Sequence, residues 1–297
     1  MKKTSLSRKI FLAVNAAILS LLAIICLYPM LYVLFASLSD SNLLMAHKGL
    51  LWHPLKANAA AFKAVLSNPM IASGYINTAF VLIVGTTISL ILTSLGAYFL
   101  SRRDVMLKGV IMALITFTMF FSGGLIPFYL TVKMLGFYNS LWALVIPTAI
   151  STYNMIIMRT SFMAIPRSLE EAATIDGAGQ LTIFVHVVLP LSKAGIATIG
   201  LFSTLAYWND WYLPMMLTTK DNLCNLQYYL QKIFLNIQLL QSGVLSERAT
   251  AALGASAVPA EGARMAMCVL AMGPILIVYP FFQKYFIQGL TVGSVKG

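Results

Sequence analysis

Charge is the scarcest commodity in this sequence. Only 10% of its 297 residues are Asp, Glu, Lys or Arg, against about a quarter in an ordinary soluble domain. Nucleic-acid binding is excluded on the same ground, despite a net charge of +11, because such proteins need dense basic patches. Histidine is nearly absent. His47, His53 and His186 are scattered, so no metal or catalytic constellation can be drawn. The three cysteines lack any short spacing. Cys26 and Cys268 lie in apolar runs and Cys224 in a polar stretch, which excludes a disulfide framework or a zinc knot and leaves small apolar fillers. A G-x-x-x-x-G-K-[ST] phosphate loop is missing, so the chain is not itself an ATPase. An intramembrane enzyme would need paired ionisable groups within apolar segments, and only Asp210 comes close. No internal repeat is recognisable, and only one apolar stretch carries clear breakers, unlike the paired broken segments of many secondary transporters.

What is there is hydrocarbon. Hydrophobic residues make up 59% of the chain and the mean hydropathy is +0.84. A soluble core cannot hide that much apolar surface, so lipid is the solvent for much of the chain. Six stretches approach the ~20 residues that cross a bilayer, at about 10–35, 78–100, 110–132, 141–158, 194–217 and 263–286. The first follows Lys2, Lys3, Arg8 and Lys9, as a signal peptide would. It is too long for the 7–15-residue core of one and reads as a retained span. The third contains Gly123-Gly124 and Pro127. The whole chain is predicted to form one all-α, six-span membrane domain.

Six spans put both termini on one side. Lys2, Lys3, Arg8, Lys9, Arg102, Arg103, Lys108, Arg159, Arg167, Lys193, Lys284 and Lys296 then share that side, mostly tight against span ends. The remaining eight cations are diluted over the other side. By the positive-inside rule the termini are predicted cytoplasmic. The loops 101–109 and 159–193 are then internal, and 38–77 and 218–262 external. In the outer loop, Leu226, Leu230, Phe234 and Ile237 recur at helical spacing. They suit either a docking partner or packing on the protein's own surface.

Three of the four acidic residues assigned to the cytoplasmic face fall in Pro166-Arg167-Ser168-Leu169-Glu170-Glu171-Ala172-Ala173-Thr174-Ile175-Asp176-Gly177-Ala178-Gly179. Ser168 with Glu171 three residues on reads as a capping box. Pro166 separates the helix it starts from the fourth span, and Gly177 and Gly179 end it. A second helical stretch follows from Leu181 to Pro190. The small residues Ala172, Ala173 and Ala178 are expected to form a face that another surface approaches closely. By itself this reads first as a well-capped surface helix pair, with Glu171 serving only the cap. Elsewhere, Tyr207-Trp208-Asn209-Asp210-Trp211-Tyr212 is the densest aromatic–polar cluster. An interfacial aromatic belt and a sugar pathway both explain it, with Asp210 the more telling residue. Tyr153 and Asn154 either line the same pathway or, for Asn154, bond between helices.

Glu171-Ala172-Ala173, three residues, Gly177, nine residues, Val187, one residue, Leu189-Pro190 resembles the EAA loop of bacterial ABC importer permeases, with Val187 where Ile is usual. Gly96-Ala97-Tyr98 with Ser101-Arg102-Arg103, Arg159-Thr160-Ser161-Phe162 with Ile165-Pro166, Trp208-Asn209-Asp210-Trp211, and the tail from Gln283-Lys284-Tyr285-Phe286 to Gly293-Ser294-Val295-Lys296-Gly297 extend the likeness to MalG-type carbohydrate permeases, nearest the LplC/YtcP-like oligosaccharide subgroup. The resemblance implies a non-catalytic subunit in a bacterial plasma membrane. It would pair with a second permease, two ABC ATPases that hold ATP and Mg, and an external solute-binding protein. It assigns Ser168, Glu170, Glu171, Ala172, Ala173, Asp176, Gly177 and Ala178 to a coupling helix docked on the ATPase. Tyr153, Asn154, Tyr207, Trp208, Asn209, Asp210 and Trp211 remain the substrate-pathway candidates.

Overall fold

A computed structural model describes residues 6–241 and 261–294, with side chains described up to 236 and from 261 to 280. The Ala/Gly/Pro/Ser-rich stretch 249–260 and the side chains of the tail motif lie outside the described residues. All regular structure among the described residues is helical. Three helices are long and apolar enough to cross a membrane, or up to five if two bent pairs each count as one span. The chain divides into two compact units.

The first unit holds α1 (Leu6–Ser37), α2 (Ser41–Ala46), α3 (Ala60–Leu66) and the start of α15 (Glu261–Ser294). At 32 residues, α1 is about 48 Å long. Its most apolar window has no buried residue within this chain, so its side chains meet lipid or another protein rather than a core of their own. Only its end is packed: Ala36 joins Leu44 and Leu51, with Tyr32, Phe35, Leu55 and Met265 around them. Polar ties fix this corner. Asp40 Oδ1 accepts from the Asn42 and Leu43 amides at 3.0 and 3.3 Å and so caps α2. Tyr28 Oη accepts from the Leu51 amide at 3.0 Å, and Arg264 pairs with Glu261 one turn away.

The second unit is built around α4 (Pro69–Ser101), which packs on α8 (Thr152–Met163) and α12 (Lys193–Asn209). Its buried face runs Gly74, Thr78, Val81, Gly85, Ser89, Thr93 and Ala97. Steps of three and four with mostly small side chains let helix backbones approach closely, as in membrane bundles. Gly85 is required by one such approach: a Cβ there would lie 2.7 Å from the Tyr207 ring.

Three of the predicted apolar stretches are interrupted. The segment 110–132 becomes α5 (Lys108–Phe120) and α6 (Leu125–Met134), bent by 113° at Gly124, whose φ is +87°. The segment 141–158 becomes α7 (Trp142–Val145), a 3-10 turn through Pro147, and α8, which Ser151 caps. The segment 194–217 breaks at Asp210 into α12 and α13 (Tyr212–Leu217). A further 83° bend at Ser192 separates α12 from the helical run Gln180–Leu191, which ends in α11 (Leu189–Leu191).

Outside these, α14 (Leu226–Gln241) follows a 3-10 turn. It buries Leu226 and Leu230 on the protein itself, while Phe234 is exposed. Asn77 donates to the carbonyls of Asn222 and Cys224, and the Leu226 amide donates to Thr78 Oγ1 at 3.0 Å. The start of this loop is therefore fastened to α4, as self-packing requires.

Candidate functional site

Two places carry chemistry: a projecting loop and a polar cavity. The loop helix α9 spans Arg167–Ile175. The expected capping box does not form. Pro166 occupies the cap position without a side-chain bond, and Ser168 lies inside the first turn. Proline explains this. Its fixed φ suits the residue entering a helix, and it bars helical backbone at Ile165, so the start moves upstream of Ser168. The other end is as read. Gly177 has φ +82°, and the amides of Gly177 and Ala178 donate to the carbonyls of Thr174 and Ala173 at 3.0 and 2.9 Å. This is the two-bond Schellman arrangement. Gly179 does not end α9; it caps the short α10 (Gln180–Ile183) that follows.

The three alanines are not on one face. Ala173 and Ala178 pack against the cluster of Ala97, Tyr98, Leu100, Met158, Phe162 and Phe184. Ala172 is exposed, together with Ser168, Glu171, Ile175 and Asp176, and Ile175 is 86% exposed. Glu170 is half-buried. One face of α9 thus anchors it to the bundle, and the other presents a carboxylate, a small residue and an aliphatic side chain.

The anchor includes a residue to which the sequence assigned no role. Tyr98 Oη donates to Gln180 Oε1 at 3.1 Å, and its ring lies 4.9 Å from that of Phe184. Phe184 opens a π-helical turn, Phe184–Val188, of the kind that often marks a functional place in a helix. Arg102 reaches Tyr98 Oη at 3.4 Å and pairs with Asp104. Its guanidinium holds the Asp104 carboxyl below the usual carboxylate range. The only earlier signal was the Gly96-Ala97-Tyr98…Arg102-Arg103 likeness.

The cavity holds about 430 Å³, and its wall is more apolar than polar, with a set of polar side chains in it. Ser89 of α4 and Ser203 of α12 lie in its wall, their hydroxyls 3.2 Å apart. Thr148, Ser151 and Asn154 come from the broken fourth stretch, and Tyr207, Asn209 and Asp210 from the end of α12. Asp210 breaks the helix because its Oδ1 caps the next one, accepting from the Tyr212 and Leu213 amides at 3.0 and 3.1 Å. Its own carbonyl accepts from the Asn225 side chain.

Of the pathway candidates, the structure brings Asn154, Tyr207, Asn209 and Asp210 together. Trp208 faces away, into an apolar groove with Pro274 and Tyr279. Tyr153 is 57% exposed, and Trp211 is 38% exposed against Tyr212. Ser89, Thr148, Ser151 and Ser203 escaped the sequence reading, since single hydroxyls in apolar runs are commonplace. Among the described residues no cluster of His, Cys, Asp and Glu forms a metal site.

Long apolar helices packed through small residues, with polar side chains set inside, define the class as a multi-pass membrane protein. The chain belongs to the family described as "Binding-protein-dependent transport system inner membrane component", whose model matches residues 10–292. It is 40% identical over 279 residues to the polygalacturonan/rhamnogalacturonan transport system permease protein YtcP of Bacillus subtilis (strain 168), covering 94% of this chain and 96% of the relative. It is 35% identical over 290 residues to protein LplC of the same strain, covering 97% and 96%. Its fold matches the crystal structure of a bacterial ABC transporter involved in the import of the acidic polysaccharide alginate, with a TM-score of 0.82 and 33% identity, over 96% of this chain and 100% of that one.

Proposed function

We propose that this chain forms half of the membrane pathway of an ATP-driven ABC importer for carbohydrate oligomers. The polar side chains gathered in the cavity carry the reading. Hydroxyl, amide and carboxylate groups from α4, α8 and α12 suit a ligand that is itself a dense array of hydroxyls, and Tyr207 adds an aromatic wall. The polysaccharides in the names of YtcP and of the alginate importer support a carbohydrate as the substrate class. A second permease subunit completes the pathway, and an external solute-binding protein delivers cargo. Two ATPases with their ATP and Mg do the hydrolysis, and α9 is the coupling helix they move. Knocking out this chain while retaining its partners should abolish ATP-dependent uptake of labelled galacturonan oligomers or of the sugar oligomers that compete with them. Normal uptake without the chain, or competition only by non-sugar solutes, defeats the proposal.

The accompanying topology is six spans with both termini in the cytoplasm. In this scheme the interrupted segments α5–α6, α7–α8 and α12–α13 each count as one broken span, and the run Gln180–Leu191 before the 83° bend stays outside the fifth. Broken spans are tolerated where their freed backbone groups face protein or a watery cavity. Met106 and Met134 are 84% and 86% exposed and fall on opposite sides in this scheme. A Met134→Cys label should react with an impermeant thiol reagent on whole cells, and Met106→Cys only after lysis. Cys224 should stay silent in this assay, since burial pushes its thiol up to about 11. Reversal of the two labels would invert the topology.

A further inference from the structure

The cytoplasmic end of α4 collects cations beyond what its own structure uses. Lys108 donates to the carbonyls of Ser101 and Arg102 at 3.3 and 2.6 Å, and Arg159 Nε donates to that of Leu100 at 3.0 Å. Two cations on the last carbonyls of a helix are explained by capping. The surplus is not. Arg103 and Arg167 stand in the wall of an open cleft of about 300 Å³ beside Arg102 and Asp104. Neither makes an ion pair among the described residues, and Arg159 keeps its terminal nitrogens after its one bond. The carboxylates nearby are three. Asp104 is taken by Arg102, and Glu170 and Glu171 line the α9 side of the cleft. The cations repel one another: burial and then the charges of Arg159, Arg167 and Arg103 push the Lys108 ammonium below its usual range.

An apolar track begins beside this cluster. Leu107 is held at φ +59°, a left-handed backbone that a branched side chain rarely adopts. Leu107, Val110, Leu114 and Phe117 are 67%, 55%, 63% and 55% exposed. The steps of four and three from Val110 to Leu114 and Phe117 place those three on one stripe of the helix, with Leu107 just ahead of it at the cap, and α5 buries none of its residues in this chain. A phosphate alone would use the cations but not the stripe. A ligand with an anionic head and a hydrocarbon tail uses both.

We propose that Arg103 and Arg167, in the cleft wall, bind the phosphodiester headgroup of an anionic phospholipid of the cytoplasmic leaflet, with the charges of Lys108 and Arg159 beside them and the acyl chains along the exposed stripe of α5. The assignment of leaflet rests on the topology proposed above; the binding itself does not. The lipid would sit between the loop after α4 and the first residue of the coupling helix, steadying the base on which α9 moves.

The test uses the complete transporter, purified with its partner subunits, and counts retained phosphatidylglycerol against phosphatidylcholine by native mass spectrometry after delipidation. Arg103→Gln with Arg167→Gln removes two charges that form no ion pair among the described residues. Lys48→Gln with Lys220→Gln removes the same charge elsewhere. Each cation near an anionic surface is worth about a fivefold change in occupancy, so retention should fall at least that much in the first pair and hold in the second. Preferential retention that survives the first pair, or falls equally in both pairs, overturns the site. Displacement by inorganic phosphate or glycerophosphoglycerol as effectively as by phosphatidylglycerol would show a soluble anion site and overturn the lipid assignment. Retention unchanged by head-group charge, with α5 crosslinked to the second permease, would show that a protein covers the stripe.

Discussion

Ala172→Trp is expected to abolish coupled uptake while leaving the permease folded and inserted. Ala172 is exposed on α9, whereas Ala173 packs into the bundle. A bulky residue at 172 therefore disturbs only what docks from outside. Overpacking a tight contact costs about 1–3 kcal/mol, which would weaken ATPase association by roughly 5- to 150-fold. Gly177→Val should fail by a different route. No atom lies within 4 Å of a Cβ at 177, so there is room for the side chain. The strain is in the backbone, where a left-handed residue other than glycine costs roughly 1–2 kcal/mol. It should loosen the end of α9 rather than block its surface. Glu171→Gln keeps the side-chain length and isolates the charge. Because the capping box is not formed, any loss of coupling in that variant reports a charge-assisted contact with the ATPase. The measurement is sugar uptake beside ATPase co-purification, at matched permease abundance. Normal values for both Ala172→Trp and Gly177→Val would refute the coupling-helix assignment.

Sequence alone exposed what depends on composition and on single residues of fixed conformation. The long apolar runs of α1, α4 and α15 needed only hydropathy, and the helix stop at Gly177 needed only glycine's left-handed freedom. The break near Gly123-Gly124 was legible for the same reason. What stayed hidden depends on where a side chain points. Ser168 and Glu171 have capping-box spacing, but Pro166 had already set the helix start. The Tyr98–Gln180 bond joins residues 82 apart in the chain, and no local pattern announces it. The aromatic cluster after residue 206 is the most instructive case. Residues 203, 206, 207 and 210 repeat at helical spacing and face the cavity. Residues 201, 204, 205 and 208 do the same toward the apolar groove. Six neighbours cannot share one face of a helix, so rotation by about 100° per residue separates Tyr207 from Trp208. That arithmetic was available in the sequence, whereas the capping role of Asp210 was not.

The same rotation gives the sharpest test of the pathway. Ala206 lies on the cavity face of α12, and Thr204 on the groove face. Ala206→Trp puts an indole into the chamber and should cut uptake by at least about tenfold, the equivalent of ~1.4 kcal/mol, with both permease subunits and the ATPases still co-purifying. Thr204→Trp adds the same bulk to the apolar groove between α4, α12 and α15, on the other face of the helix, and should have a far smaller effect on uptake. Asp210 divides its roles by substitution. Asn retains an oxygen for the Tyr212 and Leu213 amides, so a purely structural residue tolerates Asp210→Asn. Asp210→Ala loses the cap at a cost of about 1 kcal/mol. If Asp210 also meets sugar hydroxyls, Asp210→Asn should weaken uptake selectively, by raising the substrate level needed for half-maximal transport in assembled complexes. Gly85→Ala should act from behind, because its new methyl must displace the Tyr207 ring that packs on it. Equal uptake by Ala206→Trp and wild type, at matched abundance, would leave the cavity as a packing void and move the pathway elsewhere.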